Sequence, residues 1–216
     1  MTYDYDKFFE EKLKLIAEKS QSILDVGGGH PFQKIVGQHK NILEGKKYIT
    51  LDIDPTTKPD VVGDAHQMPF EDALFDAVLH VYVFEHLHSP QKAADEIYRV
   101  LKSGGYMLGV VPFIHPYHAR RNGYRDYWRF SKDGFEVLFG KFEKVELFKI
   151  GRYFRAAIGF LPFLWRVRKV LEPIAYVLDR LLIKDSRNTT AGYIIFARKR
   201  TKTQLLKNYQ VGTNIK

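Results

Sequence analysis

Histidines cluster after two apolar runs of the sequence, where they could accept a proton from a substrate. His86 follows the run Phe75–Val83, and His115 and His118 follow the run Tyr106–Phe113. A neutral imidazole accepts protons near pH 7, which suits the activation of a hydroxyl group. We rank His118 and His115 first as candidate catalytic bases, because both come directly after a predicted strand.

An aromatic and basic loop continues from these histidines over residues 123–131 and contains Tyr124, Asp126 and Arg129. Aromatic faces stack on sugars or bases, and guanidinium groups bind phosphate or carboxylate. We predict that these three residues and His86 contact the acceptor of a reaction. The alternative is a structural brace in which Asp126 pairs with Arg129.

A glycine-rich turn ends the first predicted strand, Ser22–Val26, with Gly27, Gly28 and Gly29 in succession. Glycines allow a tight turn and a close approach of the backbone to a ligand at a helix N-terminus. The dinucleotide-binding fingerprint is not matched, because Phe32 stands where its last glycine would be. By itself, the turn indicates a ligand without naming it.

Carboxylates lie at or just after the ends of the next two predicted strands. Asp52 lies near the end of the run Tyr48–Ile53, where a carboxylate can accept hydrogen bonds from both hydroxyls of a ribose. Asp64 comes after the next short run and could accept a hydrogen bond from an adenine amine, with Ile53 and Ala65 flanking the ring. The ribose contact alone fits both NAD and S-adenosylmethionine (SAM).

The segments that carry these residues resemble the class I SAM-dependent methyltransferases, in the broad group that includes ubiquinone and menaquinone methyltransferases. The similarity covers about residues 22–150 and the final strand, in the motifs ILDVGGG, LDID, GDAHQMPFEDALFDAV, FEHLHSP and EIYRVLKSGGYMLGVVPF. It implies that SAM is the cofactor. It places Gly27 and Gly29 at the methionine moiety, Asp52 at the ribose and Asp64 at the adenine.

The resemblance also implies that Asp25 orients the methionine amino group. We predict cofactor contacts for Gly28, which completes the turn, and for His80, on a strand that points toward the sulfonium in this fold.

The pair Glu85-His86 resembles a metal-binding element of some quinone and RNA methyltransferases. That element has a further carboxylate three residues earlier, where this chain has Tyr82, and we therefore expect no metal.

The loop with Asp126 is similar to the "H…DYWRFT" element of a subgroup of type 11-like methyltransferases associated with polysaccharide or cell-envelope biosynthesis. The resemblance implies a small-molecule or glycan acceptor, free or lipid-linked. We expect O-methylation, because a hydroxyl acceptor needs the base that the histidines could supply. The alternatives are a nucleic-acid methyltransferase and a non-catalytic protein that binds through a SAM-type fold.

Strands must alternate with helices to bring these residues together. Apolar runs alternate with helical patterns, which predicts an α/β fold: a Rossmann-like, doubly wound, mostly parallel seven-stranded sheet with helices on both faces. The predicted helices cover residues 4–20, 31–43, 89–105 and 131–139, and the predicted strands cover residues 22–26, 48–53, 60–62, 75–83, 106–113, 144–150 and 192–198.

A hydrophobic and basic segment, residues 151–186, interrupts this alternation before the last strand. Its uncharged run Ala156–Trp165 has arginines on both sides and is too short to span a bilayer. We predict a helical insertion that acts as a lid, as a dimer contact or as a peripheral membrane contact through residues 152–183. The chain could accordingly be a monomer or a homodimer.

Composition limits the remaining classes. The 216 residues suit one domain, for which we predict residues 1–200, followed by a flexible basic tail, residues 201–216. The absence of cysteine excludes disulfide scaffolds and cysteine nucleophiles. The net charge is −5 over residues 1–116 and +14 over residues 117–216, which favours an anionic partner for the second half.

Nucleic acid is the less favoured anionic partner, because the chain lacks the Asp/Asn-Pro-Pro-aromatic element of adenine amino methyltransferases. The N-terminal segment is charged throughout and has no apolar h-region. It predicts a cytoplasmic protein, with a peripheral position at the inner membrane face as the alternative.

Overall fold

Seven strands form one sheet in the computed structural model, which describes residues 3–32, 34–120, 123–161, 167–182, 189–201 and 203. Across the sheet their order is β3-β2-β1-β4-β5-β7-β6. β7 runs antiparallel to β5 and β6, whereas the other neighbouring strands are parallel. The strands are β1 (Ser22–Val26), β2 (Lys47–Asp52), β3 (Val61–Val62), β4 (Phe75–Val81), β5 (Leu101–Pro112), β6 (Lys144–Lys149) and β7 (Gly192–Arg198).

Helices cover both faces of the sheet, so the predicted Rossmann-like, mostly parallel fold is confirmed. The α-helices are α1 (Asp4–Lys19), α2 (Lys34–Gly37), α3 (Pro90–Val100), α4 (Lys132–Leu138), α5 (Tyr153–Phe160) and α6 (Arg168–Leu182). Short 3₁₀ turns occur at Lys40–Leu43, Pro55–Thr57 and Phe84–His86. The helices α5 and α6 form the predicted insertion before the last strand.

Two apolar cores lie on the two faces of the sheet, and β4 contributes to both. Phe75 and Val78 pack in the core that contains α3 and α4, whereas Ala77 and Leu79 pack in the core that contains α1. Side chains alternate between the two faces along a strand, so a central strand covered on both faces is apolar throughout. This explains why β4 reads as a continuous apolar run.

α1 lies on the sheet through one stripe of its surface. Phe9, Leu13 and Ile16 are fully buried, and their spacing places them on one face of the helix. Burial of each such side chain stabilises the fold by about 1.5–3 kcal/mol. At the start of the helix, the Asp6 carboxylate accepts a hydrogen bond from the backbone N–H of Tyr3 at 3.3 Å.

Two helix boundaries differ from the predicted ones. The helix predicted for residues 89–105 ends at Val100, because Leu101 already pairs with Phe75 of β4, and Gly104 (φ +79°) lies within β5. The helix predicted for residues 31–43 is reduced to α2 and a 3₁₀ turn. Gly37, a poor helix former, ends α2 between them.

The described part of the predicted tail consists of Thr201 and Thr203, and the rest of the tail lies outside the described residues. Within the described part of the chain, no helix combines the length and apolar character needed to cross a bilayer.

The strand β1 lies between β2 and β4, so the chain direction across the sheet reverses at β1. In folds of this kind, ligands bind beyond the carboxyl ends of the strands at that position.

Candidate active site

A cavity of about 1560 Å³ opens at the carboxyl ends of β1, β2, β4 and β5. Ligand sites for small molecules usually measure about 300–1,000 Å³. The cavity therefore has room for a cofactor and a second small molecule. Its wall includes the glycine turn, the end of β2, the segment after β3 and the histidine-rich loop after β5.

The glycine turn that follows β1 is packed so tightly that side chains would not fit. Gly27 has φ +67°, and a Cβ atom there would lie 2.5 Å from the Val83 side chain. A Cβ atom on Gly28 would lie 2.5 Å from the Asp25 carboxylate. All three glycines of the turn line the cavity. The backbone is thus exposed to a ligand, as the sequence predicts for Gly27, Gly28 and Gly29.

Asp25 lies beneath this turn and is buried, not on the cavity wall. Its carboxylate accepts a hydrogen bond of 2.5 Å from the Tyr48 hydroxyl. Burial, together with the Asp25 charge, raises the pKa of Tyr48 well above its usual value, so the hydroxyl remains a donor. These contacts make Asp25 a support of the turn, and a direct cofactor contact remains a prediction.

Asp52 and Ile53 lie at the cavity wall at the end of β2. One Asp52 oxygen, Oδ1, accepts the backbone N–H of Asp54 at 2.9 Å, which fixes the orientation of the carboxylate. The Ile53 side chain is 69% exposed and presents an apolar surface to the cavity. Only a short 3₁₀ turn, Pro55–Thr57, follows this strand, and it lies along the cavity wall.

Asp64 and Ala65 also line the cavity, beside His66. The Asp64 Oδ1 atom accepts hydrogen bonds from the backbone N–H and the ring Nδ1–H of His66, at 2.8 and 2.6 Å. Burial raises the pKa of Asp64, but these hydrogen bonds outweigh that effect and lower it overall. The His66 ring stacks on His88 at 4.1 Å. The carboxylate is therefore held ionised at the wall.

His80 does not lie in the cavity. The side chain is completely buried on β4 and packs against the rings of Phe84 and Phe139 and over Gly109. Burial lowers the pKa of His80 to about 3, so the ring is neutral. The cofactor contact predicted for His80 does not fit this position, because the side chain points from the strand into the core that contains α4.

His86 and His118 face each other at the cavity wall, and both approach the buried Glu85. The Nε2 atoms of His86 and His118 lie 3.7 and 3.8 Å from Glu85 Oε1. The Glu85 carboxylate raises the pKa of His118 against the opposing effect of burial. Burial lowers the pKa of His86, although Glu85 opposes this shift.

Asp126 and Arg129 brace the loop that carries His118. The Asp126 side chain is 1% exposed and accepts hydrogen bonds from the Arg129 guanidinium and from the backbone N–H of His118 at 2.8 Å. The Arg129 guanidinium holds the pKa of Asp126 at about 2. Neither residue lines the cavity. Their predicted acceptor contact therefore gives way to the bracing alternative, because the carboxylate and guanidinium groups are used on each other.

The loop also docks on the turn after β4. The backbone N–H groups of Tyr127 and Trp128 donate to the carbonyl oxygen of Glu85 at 2.8 and 3.2 Å, and the Trp128 indole donates to the carbonyl of Leu87. Tyr124 lines the cavity and lies against the His86 ring at 4.2 Å. Of the predicted acceptor-contact residues, the structure thus places Tyr124 and His86 on the wall.

His115 lies at the cavity wall beside His118, with ring centroids 4.7 Å apart. Its Nδ1–H group donates to the carbonyl of Pro116 at 2.9 Å. In this tautomer the lone pair is on Nε2. The two histidines ranked first as bases therefore both lie at the cavity.

Several cavity residues are not identified by the sequence patterns. Tyr82 has a left-handed backbone (φ +55°), which is uncommon for a tyrosine and often marks functional sites. Arg155, on α5, reaches the cavity and forms a 2.9 Å ion pair with Glu172 of α6. Arg120 also lines the cavity. The basic composition of the second half of the chain is the signal that could have pointed to these arginines.

Comparison with known proteins finds similarity to methyltransferases. A family model described as a methyltransferase domain matches residues 24–109. The chain is 30% identical over 115 residues to the ubiquinone/menaquinone biosynthesis C-methyltransferase UbiE of Vibrio cholerae, covering 46% of this chain and 44% of the relative. It is 38% identical over 69 residues to the demethylmenaquinone methyltransferase of Renibacterium salmoninarum, covering 31% and 29%. The chain thus spans less than half the length of these relatives.

Solved structures share the fold. Phosphoethanolamine N-methyltransferase 2 of Haemonchus contortus, solved with SAM, aligns with a TM-score of 0.57 at 18% identity, over 88% of this chain and 53% of that one. The [4+2]-cyclase SpnF aligns with a TM-score of 0.54 at 16% identity, over 89% and 81%. The family match covers the glycine turn, Asp52 and Asp64, so this part of the chain is similar to a methyltransferase domain.

Proposed function

We propose that this protein transfers the methyl group of SAM to a hydroxyl group of a small-molecule or lipid-linked glycan acceptor. One observation carries the proposal: a single cavity is lined by the glycine turn and by Asp52 on one side, and by His115 on the other. The glycine turn and Asp52 suit a nucleoside-containing cofactor, and His115 suits a hydroxyl group that must lose a proton.

The cofactor would lie across the ends of β1, β2 and β3. The backbone of Gly27 and Gly29 would face its methionine part, the Asp52 carboxylate would accept the ribose hydroxyls, and Asp64 would accept the adenine amine. Ile53 and Ala65 would pack on the faces of the adenine. The cavity wall supports this placement, because the three strand ends come in that order along the sheet.

The transfer itself requires little covalent help from the protein. When bound, SAM would supply the methyl group: an O–C bond to the acceptor would form as the C–S bond breaks, and the electron pair of the C–S bond would stay on sulfur. The hydroxyl proton passes to a histidine, for which His115 and His118 are the two candidates. The chain contributes positioning, exclusion of water and this proton acceptor.

The acceptor side of the cavity carries the groups expected for a sugar or a phosphate. Tyr124 presents an aromatic ring, and Arg120, Arg125 and Arg155 lie along the wall. Aromatic rings stack on sugars, and guanidinium groups bind phosphate in two-point contacts. C-methylation of a quinone precursor is the second candidate function. It is favoured by the relatives named for quinone biosynthesis.

α6 supports a lipid-linked acceptor. A stripe of its apolar side chains faces outward, each 44–75% exposed: Val170, Ile174, Val177 and Leu181. A helix in a globular protein normally buries such a stripe, whereas a helix at a membrane interface presents it to lipid. The net positive charge of residues 117–216 suits an anionic bilayer. We propose that α6 places the cavity next to the membrane surface.

The test of the function is turnover. The protein is incubated with SAM and a panel of hydroxyl-bearing acceptors, including sugar phosphates, lipid-linked glycans and quinols, and both products are measured by mass spectrometry. The proposal predicts equal amounts of demethylated cofactor and methylated acceptor, and at least about a hundredfold loss of kcat in the double variant His115→Ala/His118→Ala. Tight SAM binding without methylation of any acceptor class would favour a non-catalytic role.

A further inference from the structure

Glu85 is a buried carboxylate that has no hydrogen-bond partner among the described residues. The residue is fully buried, and neither side-chain oxygen accepts a hydrogen bond from any of the residues that the structure describes. A buried charge without a partner is strongly unfavourable, so such carboxylates are normally paired or bound to a metal. The groups that approach Glu85 Oε1 are the Nε2 atoms of His86 and His118, at 3.7 and 3.8 Å.

The ring of His86 has its lone pair on the side facing Glu85. Its Nδ1 atom lies 2.6 Å from the carbonyl oxygen of Arg125. A carbonyl oxygen can only accept, so Nδ1 carries the hydrogen. In the neutral ring, Nε2 then carries the lone pair.

The ring of His118 is oriented in the same way. Its Nδ1 atom lies 3.1 Å from an Asp126 oxygen and 3.2 Å from the carbonyl of Pro116, and both of these groups are acceptors. The Arg129 guanidinium, a donor, is farther away at 3.4 Å and also bonds to several oxygen acceptors. The Nδ1 atom of His118 therefore donates, and in the neutral ring its Nε2 also has the lone pair toward Glu85. A metal ion bound there would take the place of the proton that Glu85 favours on His118 in the metal-free protein.

From this geometry we infer that Glu85, His86 and His118 form a binding site for a divalent transition-metal ion. The three ligand atoms lie within 4.8 Å of one another. In tetrahedral coordination with bonds of about 2.1 Å, ligand atoms are roughly 3.4 Å apart. The two Nε2–Oε1 distances of 3.7 and 3.8 Å would contract by a few tenths of an ångström, and the two nitrogens would move together by at most about 1.4 Å. Each imidazole also has an acceptor behind its Nδ1–H, the arrangement that orients histidine ligands in metalloproteins.

The ligand set selects the kind of metal. Two imidazoles and one carboxylate suit Zn²⁺, Fe²⁺, Co²⁺ or Mn²⁺, whereas Mg²⁺ and Ca²⁺ prefer oxygen ligands. Three protein ligands leave at least one position open, which is typical of a site that binds substrate and not of a structural site. His86 and His118 both line the cavity, so the open position faces the acceptor side.

The role of this metal site in catalysis rests on the proposed function. A bound cation would take the acceptor hydroxyl as an additional ligand and lower its pKa. With His118 used as a ligand, His115 is then the residue that accepts the proton. The sequence pattern around Glu85 and His86 predicts no metal, because the third ligand, His118, comes from a loop 33 residues beyond Glu85.

The test uses Co²⁺ as a spectroscopic probe on the protein after a chelator has removed any bound metal. The inference predicts visible d–d absorption that saturates at one equivalent, with displacement by Zn²⁺. His118→Gln and Glu85→Gln should each weaken Co²⁺ binding at least about tenfold. The matched control is His30→Gln, an exposed histidine away from the cavity wall, and it should bind Co²⁺ like the wild type.

The outcomes separate this site from the methyltransferase assignment. If the folded wild type gives no d–d absorption and no thermal stabilisation by Zn²⁺, or if both site variants bind Co²⁺ as tightly as the wild type, the inference fails. His118 lies on a loop at the cavity wall, so His118→Gln keeps the test valid even if Glu85→Gln does not fold. SAM binding is measured separately by calorimetry, and its absence would instead contradict the proposed function.

Discussion

Asp126 and Arg129 are joined by two parallel hydrogen bonds, from Nη1 to Oδ1 at 2.5 Å and from Nη2 to Oδ2 at 2.8 Å. The same carboxylate accepts the backbone N–H of His118, and the same guanidinium donates to the carbonyl oxygens of His115 and Pro116. The pair thereby fixes the backbone around both histidines that face the cavity.

Arg129→Lys should therefore slow the reaction without weakening cofactor binding. An ammonium group cannot reproduce the two-point contact, so the loop loses its fixed geometry. We expect kcat to fall about tenfold to a hundredfold, because small misplacements of reacting groups are costly, whereas the KM for SAM changes little. Steady-state kinetics test this, with Glu136→Gln on the surface of α4 as the control. A KM for SAM that rises by the same factor as kcat falls would contradict a positioning role.

Glu85→Gln should not destabilise the metal-free protein. The neutral amide removes a buried charge, and its N–H group can donate to the Nε2 lone pair of His118. We expect the free energy of unfolding in the presence of chelator to equal or exceed that of the wild type. Urea unfolding measures it. A loss of more than about 1 kcal/mol would indicate that Glu85 acts as a structural ion-pair partner of a protonated histidine.

Asp76 should contribute stability that disappears in acid. At the opposite end of the sheet, burial raises its pKa, but hydrogen bonds from Lys102, Ser22 and Gln21 outweigh this effect and lower the pKa from 3.8 to about 2. A depressed folded-state pKa adds stability above the unfolded value, which is lost as pH falls through the folded value. The contribution at neutral pH is about 2 kcal/mol, and it declines between about pH 4 and pH 2.

Urea unfolding of Asp76→Asn tests this at pH 7 and pH 2.5, with the exposed Glu71→Gln as the control. The variant should be less stable than the wild type at pH 7 by up to about 2 kcal/mol and should approach the wild type at pH 2.5. A difference that is the same at both pH values would show that the hydrogen-bond geometry, and not the charge, is responsible.

Val177→Asp should abolish binding to anionic vesicles if the exposed stripe of α6 contacts lipid. Flotation with phosphatidylglycerol vesicles is the measurement, and Val137→Asp is the matched control, because Val137 is an exposed valine on α4. We expect the wild type and the control to float and Val177→Asp to remain unbound. Flotation of all three proteins would show that lipid binding does not depend on the stripe. Dimerisation that is lost in Val177→Asp would assign the stripe to a second copy of the chain.

The strands were predictable from sequence because buried parallel strands are continuous apolar runs, as in β4. Local signals failed where tertiary pairing decided the outcome. Gly104 suggests a helix end, but Leu101 gains more by pairing with Phe75 in the sheet, so α3 ends four residues earlier. The sequence cannot reveal such a pairing, because the partner strand lies about 25 residues away.

Site residues were predictable from sequence where a position at the end of a strand is enough to place them at the cavity. Asp52 and Asp64 follow strands whose carboxyl ends must meet, and both lie at the cavity. His80 shows the limit, because a histidine near a strand end can face either side of the sheet. The approach of His118 to Glu85 was also not predictable from sequence, because it depends on the path of the loop that carries His118.

The most direct test of the central claim is calorimetric titration with SAM and with its demethylated product, using the wild type, Asp52→Ala and the surface control Glu18→Ala. We predict micromolar binding, about 8 kcal/mol, for the wild type and the control. Binding should be at least about tenfold weaker in Asp52→Ala, which would lose the carboxylate that we propose accepts the ribose hydroxyls. A folded wild-type protein that binds neither compound would contradict the assignment of this cavity to SAM.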